Sequence, residues 1–518
     1  MAERRSKLLV VAAVWLSFLL VSLISAPIPA VNEPHYLAMA RHSWSPAWCA
    51  DDLFLSSFPA HHVFYWTFGW LTLWFDFATV ALIGRAISLL MVAASWTALA
   101  QRLQCDGSDR PAPFGSAILS AWLFLGLQAV GNLSGEWLVG GFEAKVIAYG
   151  FVLWAISAAL DGGIIVPAAL SGAAISFHPL VGLWHVMSVI IAEIALLISR
   201  RQAGRVFRLR AMAVSFITLL ACAAPGLRPA LEMLRQAKPR DAFASNYIQV
   251  FYRLKHHLDP MDFGWTHFAS YGLLMSAWLG AMVWLSRQRR IREKDRWWIG
   301  YVLAAALFAA CGLLAGLGPR PAELMAGYQW RMILLKFYPF RLFDLLLPIA
   351  FALLLPRLVQ QRWLWAVGVV GLYWGLVSTH VFPPRNQLPA AMRADWREVC
   401  RWVAANTPAN TEFHTPFEAE AFKWFAQRAE YVNLKDCPQD AAGIVEWNRR
   451  MRLITKWSEK SFAGDETYSA DELRELVRQT GVRFAITRTR VSYDADLLYS
   501  NDSYKILRLP EPELVAPR

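Results

Sequence analysis

Three carboxylates, Glu33, Asp51 and Asp52, share one stretch with His35: 27-PIPAVNEPHYLAMARHSWSPAWCADDLFLSSFPAHH-62, directly after a long apolar run. A carboxylate set among aromatics can act as a general base, taking a proton from an acceptor hydroxyl. A second carboxylate can orient the first or bind a divalent cation such as Mg or Mn. The alternative is a solvated loop with ordinary surface acids. Basic residues supply a complementary half. Arg85 lies in 82-LIGRAIS-88, where a charge is costly unless it faces a polar cavity. Arg331, Lys336 and Arg341 lie in 318-GPRPAELMAGYQWRMILLKFYPFRLFD-344. They suit binding of a lipid phosphate or neutralisation of a phosphate leaving group, or else snorkelling to lipid headgroups.

Other residues carry weaker signals. Asp344, three positions after Arg341, can pair with it. Glu143, in 143-EAK-145, is a candidate for a cation or acceptor site, and with Asp51 and Asp52 it completes the candidate metal ligands. His178, His256 and His257 lack the spacing of a metal site and read as structural or interfacial. Asn132, Leu133 and Ser134 form a glycosylation sequon.

The elements that must position these residues are membrane helices. Of 518 residues 56% are hydrophobic and only 17% charged, against about a quarter charged in soluble proteins. The 25 tryptophans gather near the ends of apolar runs, as in a membrane-interface belt. Candidate spans are 8–26, 78–100, 114–130, 144–160, 164–177, 180–199, 211–226, 265–286, 297–317, 342–356 and 363–382, about eleven in all. Pro179 supports the break between the fifth and sixth.

With the N-terminus MAERRSK in the cytoplasm, the basic segments 200–210 and 287–296 fall inside, as the positive-inside rule requires. The net charge of +12 is thereby largely topological, and nucleic acid is excluded as a partner. Residues 1–26 read as a retained anchor rather than a cleaved signal peptide. The predicted outside loops are 27–77, 227–264 and 318–341. The first ends in 63-VFYWTFGWLTLWFDF-77, too short to span and suited to lying in the interface.

After residue 382 the composition becomes that of a soluble domain. Helices at 395–408 and 471–481 alternate with strands at 411–416, 482–488 and 501–510, which predicts a small extracytoplasmic α/β domain over 383–518. Its Cys400 and Cys437 can pair in an oxidising compartment. No GxGxxG, P-loop or internal repeat is present.

This pattern resembles the GT-C superfamily of membrane glycosyltransferases, which includes the protein mannosyltransferases and the bacterial aminoarabinose transferases. The likeness lies in the acidic first outside loop, in 32-NEPHYLAMAR-41, in the Arg-containing helix 84-GRAISLLMVAASWTALAQRL-103, and in the closing segments 482-VRFAITR-488 and 501-NDSYKILRL-509 of an outer α/β domain. At 32–33 the relatives carry an Asp-Glu pair whose Asp is usually the base; here that position is Asn32, and Glu33 is retained.

The resemblance implies a GT-C-like domain over 1–382 in the inner (plasma) membrane and a soluble domain outside. It implies transfer of a sugar, with inversion, from a polyprenyl-phosphate donor to an exported glycan, lipid or protein acceptor. Glu33, Asp51 or Asp52 would serve as base, and Arg85, Arg331, Lys336 and Arg341 would meet the phosphate. The alternative is a non-catalytic GT-C-like scaffold or glycan-handling subunit of a cell-envelope assembly, which Asn32 favours. A transporter fits less well, because such folds usually carry internal repeats.

Overall fold

The computed structural model describes residues 2–30, 32–104, 114–200, 209–359, 362–381, 388–417, 420–462 and 467–512. The basic segment 201–208, Cys105 and the expected domain boundary at 382–383 lie outside the described residues.

A helix occupies each segment in which the sequence predicts a span. α1 (Ala2–Ser25) leads through α2 (Glu33–Trp44) and α3 (His62–Phe68) to α4 (Phe77–Gln104), α5 (Phe114–Val130) and α6 (Ala144–Leu160). There follow α7 (Ile165–Phe177), α8 (Pro179–Arg200) and α9 (Leu209–Gln236). α10 (Pro239–Tyr247), a π-helical turn at Ile248–Arg253 and α11 (Lys255–Leu258) precede α12 (Trp265–Arg287) and α13 (Glu293–Gly316). α14 (Tyr328–Lys336) and α15 (Arg341–Leu358) meet at a 51° bend, and α16 (Trp363–Val381) ends the bundle.

Seven of these helices, α1, α4, α8, α9, α12, α13 and α16, are long and apolar enough to cross a membrane. The bent α14–α15 pair passes the same test as one unit, and α5, α6 and α7 are apolar but shorter. The expected eleven thus separate into long spans, one bent pair and three short helices. Apolar side chains such as Ile198, Phe216, Ile217, Leu273 and Val370 stand exposed on helix surfaces, which suits contact with lipid. α7 and α9 approach closely through Gly226, where an added Cβ would lie 2.1 Å from the Ser176 carbonyl oxygen.

The first loop is more ordered than its sequence suggests. Its acidic start is the helix α2, opened by Pro34 in the first turn, and its aromatic end is α3 followed by a 3₁₀ turn at Gly69–Leu73. Trp66, Trp70 and Trp74 are exposed there.

The C-terminal region comprises α17 (Ala390–Asn406), β1 (Glu412–His414), α18 (Phe422–Ala426), β2 (Ala429–Glu430), α19 (Ala441–Phe462), β3 (Thr467–Tyr468), α20 (Ala470–Thr480), β4 (Phe484–Arg488), β5 (Ser492–Tyr493), β6 (Asp496–Ser500) and β7 (Tyr504–Arg508). The main sheet runs β2-β1-β4-β7-β6, parallel on one side of β4 and antiparallel on the other. α20 follows from local rules: Ser469 and Glu472 form a capping box and Gly481, at φ +76°, ends the helix. α19 was not legible as a separate helix in the sequence. Cys400 and Cys437, which can pair on sequence grounds, are both free thiols, each packed in a different apolar cluster.

Candidate active site at one end of the helix bundle

Glu33 and Arg85 meet, but not as base and phosphate ligand. Arg85 Nε and Nη2 donate to the two Glu33 oxygens at 2.7 and 2.8 Å, and both side chains are fully buried. The same oxygens accept the backbone N–H groups of Phe142 and Ala30, at 2.7 and 2.8 Å. Arg85 Nη1 donates to the carbonyls of Ser22 and Ala26, at 2.9 and 2.6 Å. With each Glu33 oxygen accepting two hydrogen bonds, the carboxylate has no lone pair left for an acceptor hydroxyl. The pair instead ties α4 to the end of α1, the start of α2 and the loop before α6. This corrects both expected roles.

Asp52 is buried in a second ionic cluster. Lys423 Nζ lies 3.0 Å from Asp52, 2.6 Å from Glu430 and 2.8 Å from Asp436. Asp52 also accepts the N–H groups of Phe54, Leu55 and Glu430. Asp436 takes His35 Nδ1 at 3.0 Å, and Glu430 takes Thr415 and Asn433. Lys423, first among its attractive neighbours, holds the Asp436 carboxyl far below the usual range despite burial, while burial pushes Glu430 up. The cluster docks α2 and the first loop onto the C-terminal domain, and Asp52 is a docking residue rather than a base. Asp51, next to it, is exposed and belongs to neither cluster.

The cation ligands are likewise dispersed. Asp52 faces a lysine, Asp51 faces solvent and Glu143 sits beside Lys145 at 3.6 Å. Among the described residues no group of three or more His, Cys, Asp or Glu has the arrangement to hold a metal ion.

A third cluster is built differently. Asp344, one turn into α15, accepts the N–H groups of Leu133, Ser134 and Glu136, and so fixes the loop after α5. It pairs with this backbone, not with Arg341. The loop turns through Gly135 at φ +88°, a conformation natural to glycine, and His257 packs where a Cβ would stand. Asn132 accepts the Gly135 N–H within the same turn.

Held this way, Glu136 lies 3.3 Å from Arg341 Nε and 3.8 Å from Lys145 Nζ. Arg341 Nη1 donates to His178 Nε2 at 2.9 Å, and its guanidinium lies over the Tyr338 ring at 4.2 Å. Arg341 can only donate, so His178 accepts at Nε2, and the Val181 N–H points at its Nδ1 at 3.3 Å, so that both ring nitrogens are engaged within the protein. The His178 ring lies 4.8 Å from His61, which stacks on Tyr36 at 5.2 Å. Glu143 occupies the N-cap of α6, where the helix dipole favours its anion, and Lys145 lies over the Trp137 ring at 3.9 Å. Asn32 lies against the Glu143 carboxylate.

What separates this cluster from the other two is incomplete satisfaction. Glu136 Oε1, Glu143 Oε1 and His61 Nδ1 are buried without a hydrogen-bond partner, and Arg341 Nε has only its ion pair with Glu136. An unpaired buried polar group costs about 1–3 kcal/mol, so three in one place mark a site built to receive polar groups. Burial raises the Glu143 carboxyl, against the pull of Lys145. Burial and then Arg341 lower His61, to about 3, which keeps it neutral and able to donate or accept.

Of the residues expected from the sequence, only Arg341 and Glu143 belong here. Arg331 donates to the Leu317 carbonyl at 2.9 Å, and neither it nor Lys336 is bonded to this cluster among the described residues. Glu136, His61 and Tyr36 were missed, and His178 was read as structural. The one signal that could have found Glu136 is its place in the Gly-rich, acid-bearing segment 131–145.

Residues 394–454 match a family described as a domain of unknown function, DUF6798. No curated protein matches the chain. Similar solved structures include ArnT from Cupriavidus metallidurans bound to undecaprenyl phosphate, at 14% identity and TM-score 0.47, covering 99% of each chain. The Archaeoglobus fulgidus oligosaccharyltransferase, in complex with Zn and sulfate, is similar at 11% identity and TM-score 0.40, over 92% of this chain and 68% of its own. The mycobacterial arabinofuranosyltransferase AftD is similar at 15% identity and TM-score 0.49, over 96% of this chain; the match spans only 41% of AftD. These neighbours are GT-C glycosyltransferases, the superfamily that the sequence resembles.

Proposed function

We propose that the chain is a multi-pass membrane glycosyltransferase that moves a sugar from a polyprenyl-phosphate donor to an acceptor hydroxyl, with Glu143 as the general base. The observation that carries this reading is the set of three partnerless buried polar atoms on Glu136, Glu143 and His61, gathered around Arg341 at one end of a bundle of apolar helices. The motif resemblance adds to it. At the position where GT-C relatives usually carry the base this chain has Asn32, and Asn32 lies against Glu143. The carboxylate lost from α2 is thus returned by the loop before α6.

In this mechanism Glu143 takes the acceptor's proton as the acceptor oxygen attacks the anomeric carbon from the face opposite the phosphate. The bond from that carbon to the phosphate oxygen breaks, its electron pair leaves on the polyprenyl phosphate, and the configuration inverts. Arg341 faces the departing phosphate, helped by Lys145, as fixed cations stabilise a developing anion. Glu136 holds both cations in place. Neutral His61 presents its Nδ1 for a sugar or acceptor hydroxyl, and His178 holds the Arg341 guanidinium in place. The site lies on the extracytoplasmic side in this account, where lipid-linked donor and exported acceptor meet.

Surface-glycan analysis of cells carrying Glu143→Gln tests the base directly. Loss of the glycan, with the protein present in the membrane at its normal level, is expected; an unchanged glycan would remove Glu143 from the mechanism. Lys145 beside Glu143 favours one rival, a non-catalytic scaffold whose buried charges only bind. That rival expects undiminished glycan in Glu143→Gln cells.

A further inference from the structure

Two more cations border the Glu143 cluster and form no salt bridge among the described residues. Lys435, in the loop after β2, lies within charge range of Glu143, and among the described residues it forms no salt bridge. Arg253 ends the π-helical turn; its Nη2 donates to the Lys435 carbonyl at 3.0 Å and its Nε is buried without a partner. Arg253 is also in charge range of Tyr338, the ring that carries the Arg341 guanidinium.

The loop that presents Lys435 is rigidly held. Asn433 Oδ1 accepts the N–H groups of Lys435 and Asp436 at 2.8 and 2.7 Å, and its Nδ2 donates to Glu430. Trp447 Nε1 donates to the Asn433 carbonyl at 2.8 Å. Asp436 is already taken by His35 and Lys423, and the carboxylate that bears most on Lys435 is Glu420, which does not reach salt-bridge distance.

Charge balance gives these cations a task. Within the cluster Glu136 and Glu143 are offset by Lys145 and Arg341. An entering phosphate therefore brings negative charge that the cluster alone does not match, and a buried unmatched charge is costly. We propose that Arg253 and Lys435 form a second cation pair that receives the phosphoryl group of the ligand, so that the C-terminal domain supplies part of the site. This rests on the polyprenyl-phosphate reading. The chemistry recognised is a phosphoryl anion, carried by a lipid or free.

The test is retention of undecaprenyl phosphate by the purified full-length protein, measured by native mass spectrometry beside undecaprenol as the neutral control. Lys435→Gln and Arg253→Gln are each expected to weaken retention of the phosphate about ten-fold, to leave undecaprenol unchanged, and Lys435→Arg to restore the wild-type value. The arginine variant and a thermal melt separate this from a folding defect. Inorganic phosphate as competitor separates the sources: displacement of the lipid assigns the pair to a free anion, and its failure assigns it to a lipid headgroup. If wild type retains undecaprenyl phosphate and both glutamine variants retain it equally, the pair has no such role and the polyprenyl-phosphate reading stands. If wild type retains none, that reading and this inference fall together.

Discussion

Arg85 grips Glu33 through two hydrogen bonds of 2.7 and 2.8 Å, with both side chains fully buried, and the bond is a girder rather than a reaction site. Removing one partner of a buried pair leaves an uncompensated charge and costs about 3–5 kcal/mol. Glu33→Gln and Arg85→Met are therefore expected to lower the thermal midpoint of the detergent-solubilised protein sharply. A stable Glu33→Gln protein that has lost only activity would return Glu33 to the list of bases.

The Lys423 cluster makes a second stability prediction. Lys423→Met strands three buried carboxylates, Asp52, Glu430 and Asp436, at a cost of about 3–5 kcal/mol. Limited proteolysis should show the C-terminal domain cut faster in this variant. The pH sense follows from Asp436, whose carboxyl is depressed in the fold. Its stabilising contribution is present above the ordinary carboxylate value, about 3.9, and is lost as the pH falls below that toward the folded value. Docking that weakens between pH 8 and 6 instead would point to a different group.

Gly135 turns the loop that delivers Glu136. Gly135→Ala places a Cβ 2.3 Å from His257 Cε1 in a left-handed conformation, so the loop must shift or strain by about 1–3 kcal/mol. Activity should fall well beyond the change in melting temperature, because Glu136 holds Arg341 and Lys145. Equal, small losses in both would mean that the loop only spaces helices.

The acid limb of the rate profile reports Glu143. Its ionised form is the base, so activity is present above its pKa and lost as the pH falls through it. Burial raises that pKa above the ordinary glutamate value of about 4.3, and Lys145 opposes the rise. Loss should begin at a higher pH than for an ordinary glutamate, and Lys145→Met should move the limb higher still. A limb that stays put in Lys145→Met would dissociate it from Glu143.

How much of this was legible follows from what each signal depends on. Helix positions were readable because hydropathy is local, and the apolar runs mark α1, α4 to α9, α12, α13, α15 and α16, although α9 continues to Gln236 past the predicted end at 226. Arg85 stood out, since a buried guanidinium needs a partner, but no local rule says that its partner is Glu33 rather than a phosphate. Asp52 looked like half of a catalytic pair because Lys423 and Glu430, which neutralise and cap it, come from a distant domain. The third cluster joins α2, the loops before α3 and α6, the α7–α8 break and the start of α15. Such convergence is a property of the folded chain, and only Arg341 and Glu143 stood out beforehand.

The central claim is that Arg341 and its neighbours receive a lipid phosphate. Native mass spectrometry of the purified protein with undecaprenyl phosphate, in wild type and Arg341→Ala, tests it most directly. The account predicts a retained lipid phosphate that the variant loses, while wild type and variant retain the neutral undecaprenol equally. No retention by wild type, beside a transferase that retains the lipid under the same conditions, would contradict it.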